Sequence, residues 1–488
     1  MNTRNLIGDT WIHASAGRGL EVLDPARDRI VAVVPDAGPR ETSRAIDAAD
    51  EAVEGWSRTS PHVRAEMLRR LAVGLLEERD RLARLITLEQ GKPLAESRAE
   101  VDYAASFLPV AAEAAMSLAP ESLDVPGKSV SVHQRPVGVT AAITPWNFPL
   151  AMLAKKSASA LAVGCTQVIK PAEQTPLTAI AFVELAREAG IPAGVINLIT
   201  GAPESIGRTL LKDGRVRKLS FTGSTEVGRI LMRGAAEKMV RLSLELGGHA
   251  PFLVFEDADL DAAVSMAMVA KFRNSGQTCV CPNRFLVHRS HHDAFVQRLA
   301  TAATALTSGP GDREGVDLGP LIDDAGLEKV EAQVRDAVDR GANLVCGGGR
   351  RSIEGCADRF PEPTVLTSTT SDMRCWTEET FGPVCPVRSF EDDAEAIRLA
   401  NDSPYGLAAY AVTSDPARSE RLGRTLSAGI IGINDGIPAV AAVPFGGVGQ
   451  SGFGREGGRW GLAEYLETIT VSRIDAATDQ TTKGPVVP

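Results

Sequence analysis

In the run Lys271-Phe-Arg-Asn-Ser-Gly-Gln-Thr-Cys-Val-Cys281, Cys279 follows a Gly-Gln turn at the end of an apolar helical pattern. A thiol in that setting can attack an electrophilic carbon. Upstream, Arg241-Leu-Ser-Leu-Glu-Leu-Gly-Gly248 plants Glu245 in an otherwise apolar, strand-like segment. A carboxylate in a buried strand is unfavourable unless it is paired or used. Taken singly, Cys279 could equally be a small buried hydrophobe and Glu245 one half of an ion pair. A third segment, Ile143-Thr-Pro-Trp-Asn-Phe-Pro149, ends a strand-like run over 137–144 and supplies a side-chain amide at Asn147. Thiol, carboxylate and amide together have the makings of covalent chemistry at a carbonyl group.

These groups need a frame. Segments 43–56 and 61–90 carry helical apolar spacing with charged faces (Ala45, Ile46, Ala49, Val53, Trp56; then Met67, Leu68, Leu71, Leu75), as expected of amphipathic helices covering a sheet. From about residue 137, β-rich runs at 137–144, 166–170, 195–199, 218–222 and 240–246 alternate with helical stretches such as 175–189 and 224–239. That alternation predicts a parallel α/β sheet. A second alternation begins at 251–255 and continues through 284–287, a helix over 293–306 and strand-like runs near Leu344, Thr364 and Val384. Segments 129–135 and 468–473 alternate with period two and fit neither sheet. Paired with each other they would form a ribbon whose exposed edge needs cover, which a partner subunit would provide. Residues 475–488 read as a mobile tail.

A chain of 488 residues with 44% hydrophobic content is too long for a single core and points to two or three domains. The net charge of -10 argues against a nucleic-acid surface or a polybasic membrane anchor. Seven cysteines in a large chain with no secretory signal suggest reduced thiols and a cytoplasmic setting. There is no uninterrupted apolar run of membrane-spanning length. No metal-ligand cluster stands out; His288, His291 and His292 read as surface groups at a helix start.

Taken together, the three chemical segments resemble the aldehyde dehydrogenase superfamily, in order and in spacing. Further matching motifs are Lys170-Pro-Ala-Glu173, Phe221-Thr-Gly-Ser-Thr-Glu-Val-Gly228, Glu378-Glu-Thr-Phe-Gly-Pro383 and Pro444-Phe-Gly-Gly447, and the resemblance runs from Trp11 to about Arg473. It implies an α/β fold with a Rossmann-like cofactor domain (1–117 and 138–247), an α/β catalytic domain (248–465) and a protruding β-ribbon oligomerisation arm with tail (118–137 and 466–488), in a homodimer or homotetramer. It implies Cys279 as nucleophile, Glu245 as general base and Asn147 as oxyanion donor. The same resemblance implies a dinucleotide site at Thr144, Trp146, Lys170, Glu173, Gly223, Ser224, Leu246, Glu379 and Phe381. Small residues at a strand-to-helix junction suit a pyrophosphate, and a carboxylate at Glu173 facing the ribose hydroxyls favours NAD over NADP, because a 2'-phosphate would meet like charge.

Within the superfamily, Cys281 two residues after Cys279 is the pattern of succinate semialdehyde dehydrogenases and implies a possible resolving thiol for oxidised Cys279. Arg273 matches those enzymes' carboxylate-binding arginine, a role that its planar fork suits. Two positions depart from that pattern. Lys155 stands where an arginine is usual, and Ala439 where a serine is usual. The expected reaction is therefore oxidation of succinate semialdehyde to succinate. A longer carboxylated semialdehyde or a broad range of aldehydes is the alternative. A cysteine hydrolase would use the same triad without a dinucleotide, and a non-catalytic binding protein would not need the triad at all.

Overall fold

The computed structural model describes residues 2–13, 17 and 19–474; the tail expected at 475–488 lies outside them. Two sheets organise the chain. The first has eight strands in the order Gly452–Phe453, Arg241–Glu245, Val216–Thr222, Val139–Ile143, Thr166–Lys170, Ile196–Leu198, Asn5–Ile7, Thr10–Ile12. Its five central strands run parallel and its edge strands antiparallel. Val139–Ile143 and Thr166–Lys170 are buried at every position, as expected where helices cover both faces.

The second sheet has seven strands, in the order Asn343–Cys346, Thr364–Thr367, Val384–Phe390, Pro282–His288, Ala250–Val254, Ala408–Val412, Ile430–Ile433. All pairs are parallel except that of Asn343–Cys346 with its neighbour. The period-two segments pair antiparallel, Thr468 opposite Gln134 and Arg473 opposite Ser129. A third strand, Glu121–Val125, widens the ribbon beyond the two read from sequence.

The helices follow the periodicity with shifted ends. Segment 61–90 divides into Pro61–Glu77 and Arg79–Gln90 at Glu78. Helix Pro39–Arg58 seats Ala45, Ile46, Ala49 and Trp56 in the core, and burying Trp56 contributes on the order of 2–3 kcal/mol. Helix Pro149–Val163 is buried along its whole length. It packs against Leu94–Met116, whose Glu100 accepts the Leu150 and Ala151 N–H groups at 2.9 and 3.2 Å. Such first-turn N–H groups have no partner inside their own helix.

Two differences from the sequence reading bear on the site. The N-terminal strands Asn5–Ile7, Thr10–Ile12, Gly19–Asp24 and Arg29–Pro35 fall outside the elements read from the sequence. Gly452–Phe453, assigned from sequence to the catalytic part, returns to the first sheet and pairs with Leu244 and Glu245.

Candidate active site

A cavity of about 690 Å³ lies between the carboxyl ends of the first sheet's strands and the amino ends of the second sheet's strands Ala250–Val254, Pro282–His288 and Val384–Phe390. Arg273, Cys279, Asn147, Trp146, Gly223, Ser224, Leu246, Glu379 and Phe381 all line it, together with Ala439. Glu245 lies just behind the wall formed by Leu246 and Gly247. Thr144, Lys170 and Glu173 cluster at the strand ends beside it, with the Thr144 N–H donating to the Lys170 carbonyl at 3.1 Å.

Cys279 sits on a turn between helix Leu260–Phe272 and strand Pro282–His288. The turn begins with Asn274 and Ser275 at φ +52° and +55°, left-handed conformations that cost non-glycine residues about 1 kcal/mol or more each. Side chains hold it there. The Asn274 N–H donates to Glu96 Oε2 at 2.8 Å, and Asn274 Nδ2 donates to the Asn147 carbonyl at 3.1 Å. Ser275 Oγ donates to the Gly319 carbonyl at 2.8 Å. On the other side, a Cβ at Gly248 would collide with the Cys279 carbonyl, so only glycine permits this approach.

The Asn147 side-chain amide donates to the Gln277 carbonyl at 3.0 Å, which fixes it against the loop that carries Cys279. Beneath it, Lys92 Nζ reaches both the Asn147 carbonyl and Glu100 Oε2 at 2.7 Å. Burial pushes the Cys279 thiol up to about 12, with Lys155 opposing. Glu245 closes strand Arg241–Glu245, opposite Thr222 in the neighbouring strand. Neither of its carboxylate oxygens has a hydrogen-bond partner. Burial, then the charge of Glu456, raises its carboxyl well above the ordinary range. Burial acts on Glu456 in the same direction, but Lys156 and Lys155 outweigh it and hold Glu456 below that range. Two neighbouring carboxyl groups thus have divided protonation: one keeps its proton and the other its charge.

The cofactor candidates make a graded surface. Ser224 caps helix Thr225–Ala236 by accepting from the Val227 N–H, which leaves a helix N-terminus facing the cavity. Lys170 and Glu173 form an ion pair with the lysine buried and the carboxylate a third exposed. Glu379 accepts the Gly248 N–H at 2.8 Å, and burial raises its carboxyl. Phe381 stands at φ +57°, edge-on to Trp146 with ring centroids 5.5 Å apart. A helix N-terminus and an aromatic pair on the cavity wall, with the Lys170–Glu173 ion pair at the strand ends beside it, fit a nicotinamide dinucleotide.

Two expected residues are placed otherwise. Lys155 is fully buried and does not line the cavity; its ammonium lies 3.4 Å over the Phe445 ring and 3.8 Å from Glu456. Phe445, over whose ring it sits, lines the cavity, so in this arrangement Lys155 faces Phe445 and Glu456 and does not stand on the cavity wall as a second arm of a substrate clamp. Cys281 is also turned away. It is completely buried, and its thiol points to the carbonyls of Lys271 and Pro282 at 3.6 and 3.8 Å. A bridge to Cys279 would require the turn to reverse. Sequence reasoning missed Lys92, Glu96, Glu100, Lys156 and Glu456. Glu96, Glu100, Tyr103 and Phe107 share one helical stripe, a spacing that would have shown carboxylates on an apolar face.

With this geometry in place, similarity to known proteins is specific. Residues 11–471 match the aldehyde dehydrogenase family. The chain is 47% identical over 463 residues to a glutarate-semialdehyde dehydrogenase of Pseudomonas putida, covering 94% of this chain and 95% of that one. It is also 47% identical over 466 residues to an NADP-linked succinate-semialdehyde dehydrogenase of Escherichia coli, covering 95% and 96%. The crystal structure of succinate-semialdehyde dehydrogenase from Burkholderia pseudomallei superimposes with a TM-score of 0.95 at 46% identity, over 97% of this chain and 98% of that one. The chain belongs to the aldehyde dehydrogenase family, and as such is an enzyme that oxidises aldehydes with NAD(P). No helix among the described residues is long and apolar enough to cross a membrane.

Proposed function

We propose that the protein oxidises a short acid semialdehyde, with succinate semialdehyde the first choice and glutarate semialdehyde the second. The observation that carries this reading is Arg273, which lines the same cavity as Cys279. Its Nε is buried without a hydrogen-bond partner, and among the described residues no carboxylate lies within ion-pair distance of it. A guanidinium on the cavity wall with an unpartnered buried nitrogen is a site for a carboxylate. The similarity to both succinate- and glutarate-semialdehyde dehydrogenases supports the class. Ala439 on the wall and Lys155 behind it leave Arg273 as a single anchor, which favours loose discrimination between four and five carbons.

In this reading the Cys279 thiol gives its proton to solvent water, its sulfur attacks the aldehyde carbon, and the carbonyl oxygen becomes an oxyanion held by Asn147 Nδ2 and the Cys279 N–H. Collapse of that adduct expels a hydride and leaves a thioester. Ser224, Lys170, Glu173 and Glu379 would hold the dinucleotide, which when bound would supply the acceptor for that hydride. Glu245 then removes a proton from water, which attacks the thioester to give the acid and the free thiol. Glu173 near the ribose favours NAD, although the NADP-linked relative shows that overall similarity does not decide between the two cofactors.

The three-part division read from sequence, a homo-oligomer joined through the ribbon, and a cytoplasmic location belong to the same proposal. The largely exposed strand Glu121–Val125 supports the oligomer. Light scattering on the purified protein tests it. The function itself is tested by kcat/KM for succinate semialdehyde, glutarate semialdehyde, butanal and benzaldehyde with each cofactor. Equal efficiency across the four aldehydes overturns the acid-semialdehyde reading.

A further inference from the structure

Glu96 sits in the first turn of helix Leu94–Met116 and lines the cavity alongside Arg273. One of its oxygens accepts the Asn274 N–H, directly after Arg273 in the chain. A carboxylate beside the group that receives a substrate carboxylate is a paradox of charge. It weakens the positive potential of Arg273 and repels the incoming anion. Its position also fixes the left-handed turn that directly follows Arg273.

We infer that Glu96 is a specificity-determining residue whose charge sets how strongly Arg273 holds the carboxylate of an acid semialdehyde. This rests on the carboxylate role of Arg273 proposed above. The groups around Glu96 are Lys92 and Glu100 near it on the same helix and its lead-in, Arg273 on the facing turn, and Asp323 and Lys329 across the cavity. Burial, opposed by Lys92, the Asn274 N–H and Arg273, raises its carboxyl to about 7. Below that value Glu96 is neutral and Arg273 acts at full strength. Above it Glu96 is charged and competes with the substrate. Binding an anion next to it raises its proton affinity further, so capture of a carboxylate is linked to proton uptake.

The test compares KM for succinate semialdehyde with KM for butanal from about pH 6 to about pH 9, in the wild type and in Glu96→Gln. In the wild type the ratio of the two KM values should rise about tenfold with pH, which corresponds to a repulsion of about 1.4 kcal/mol between charged Glu96 and the bound carboxylate. In Glu96→Gln, which keeps an acceptor for the Asn274 N–H, the ratio should stay flat and low. A slope that persists in the variant overturns the inference, as does a variant that weakens both substrates equally. Calorimetry of butyrate binding to the wild type in two buffers of different ionisation heat needs no variant. Proton uptake near pH 8 supports the linkage, and its absence overturns it. Arg273→Ala separates the two levels. If it leaves the ratio of substrates unchanged, the carboxylate reading itself falls. If it selectively impairs the acid semialdehyde while Glu96→Gln keeps the slope, only the role of Glu96 falls.

Discussion

Glu100 and Glu245 are both buried carboxylates within the same protein, yet their surroundings are opposite. Glu100 accepts two helix N–H groups with one oxygen and the Lys92 ammonium with the other. Glu245 has no hydrogen-bond partner for either oxygen. The first arrangement ties helix Leu94–Met116 to helix Pro149–Val163, and through Lys92 supports the carbonyl of Asn147. The second leaves a carboxyl group poised to exchange a proton. Full satisfaction marks a group that holds structure, and deprivation marks one kept for chemistry.

The sharpest way to break the comparison is at the reacting groups. Cys279→Ala should lower turnover by about 10⁴-fold or more, because no thioester forms. Glu245→Gln should lower steady-state turnover by about 10²–10⁴-fold, while a rapid-mixing experiment still shows one equivalent of reduced cofactor and an acyl group on the protein. Undiminished turnover in Glu245→Gln would remove its assignment as base. The pH dependence follows from the same burial. A carboxyl raised above its ordinary range becomes a base only at higher pH, so deacylation should climb with pH beyond the usual carboxylate window.

Stability should show the mirror image. Glu100→Ala leaves Lys92 buried without its counter-ion and should cost about 3–5 kcal/mol in a denaturant titration, or prevent folding. At low pH, where the carboxyl is protonated in both the folded and the unfolded state, Glu245→Gln removes no hydrogen bond and should change stability by less than about 1 kcal/mol. Its sign depends on pH. The folded protein holds the Glu245 proton more tightly than the unfolded chain, so that contribution is fully present below the ordinary value of 4.5 and is lost as pH rises through the raised value. The glutamine variant lacks this loss and should gain on the wild type as pH increases. A large destabilisation by Glu245→Gln at every pH would erase the contrast.

The contrast also explains what sequence could reveal. Glu245 was legible because a lone charge in the apolar strand Arg241–Glu245 breaks a pattern, and Cys279 and Asn147 because their motifs are contiguous. Glu100 lies in helix Leu94–Met116 and Lys92 in the connection before it, where charges ordinarily face water, and their partners Leu150 and Asn147 are remote in the chain. Glu456 reaches Lys156 and Ser220 from the far end of the sequence, a contact that no local period encodes. The errors at Lys155 and Cys281 have one cause: a motif fixes order along the chain, whereas the direction of a side chain depends on what packs around it. Phe445 covers Lys155, and the turn after Cys279 aims Cys281 into the core. Peroxide inactivation should therefore be the same in Cys281→Ala as in the wild type, measured as loss of activity with and without dithiothreitol.

Arg273 carries the comparison into the substrate pocket, as a cation with an unpartnered buried nitrogen on the cavity wall. Its charge-assisted bond to a substrate carboxylate is worth on the order of 1.5–3 kcal/mol, so Arg273→Ala should lower kcat/KM for succinate semialdehyde roughly 10- to 150-fold. Butanal should be affected much less. Equal losses for both aldehydes would mean that Arg273 supports the turn before Cys279 and does not read the substrate.

Glu173 sets the smallest expected effect because it resembles neither extreme. It is paired with Lys170 yet a third exposed, so water and salt screen its charge. At a separation of about 4 Å in water, two like charges repel by only about 1 kcal/mol, which predicts about a fivefold preference for NAD over NADP. Releasing that carboxylate in Glu173→Ser should bring the ratio of kcat/KM values close to one, and added salt should shrink the preference in the wild type but not in the variant. A preference of a hundredfold or more could not come from a screened carboxylate and would require the adenosine ribose to be read by another group. Equal use of both cofactors by the wild type would place Glu173 away from the 2'-position, with its charge directed entirely to Lys170.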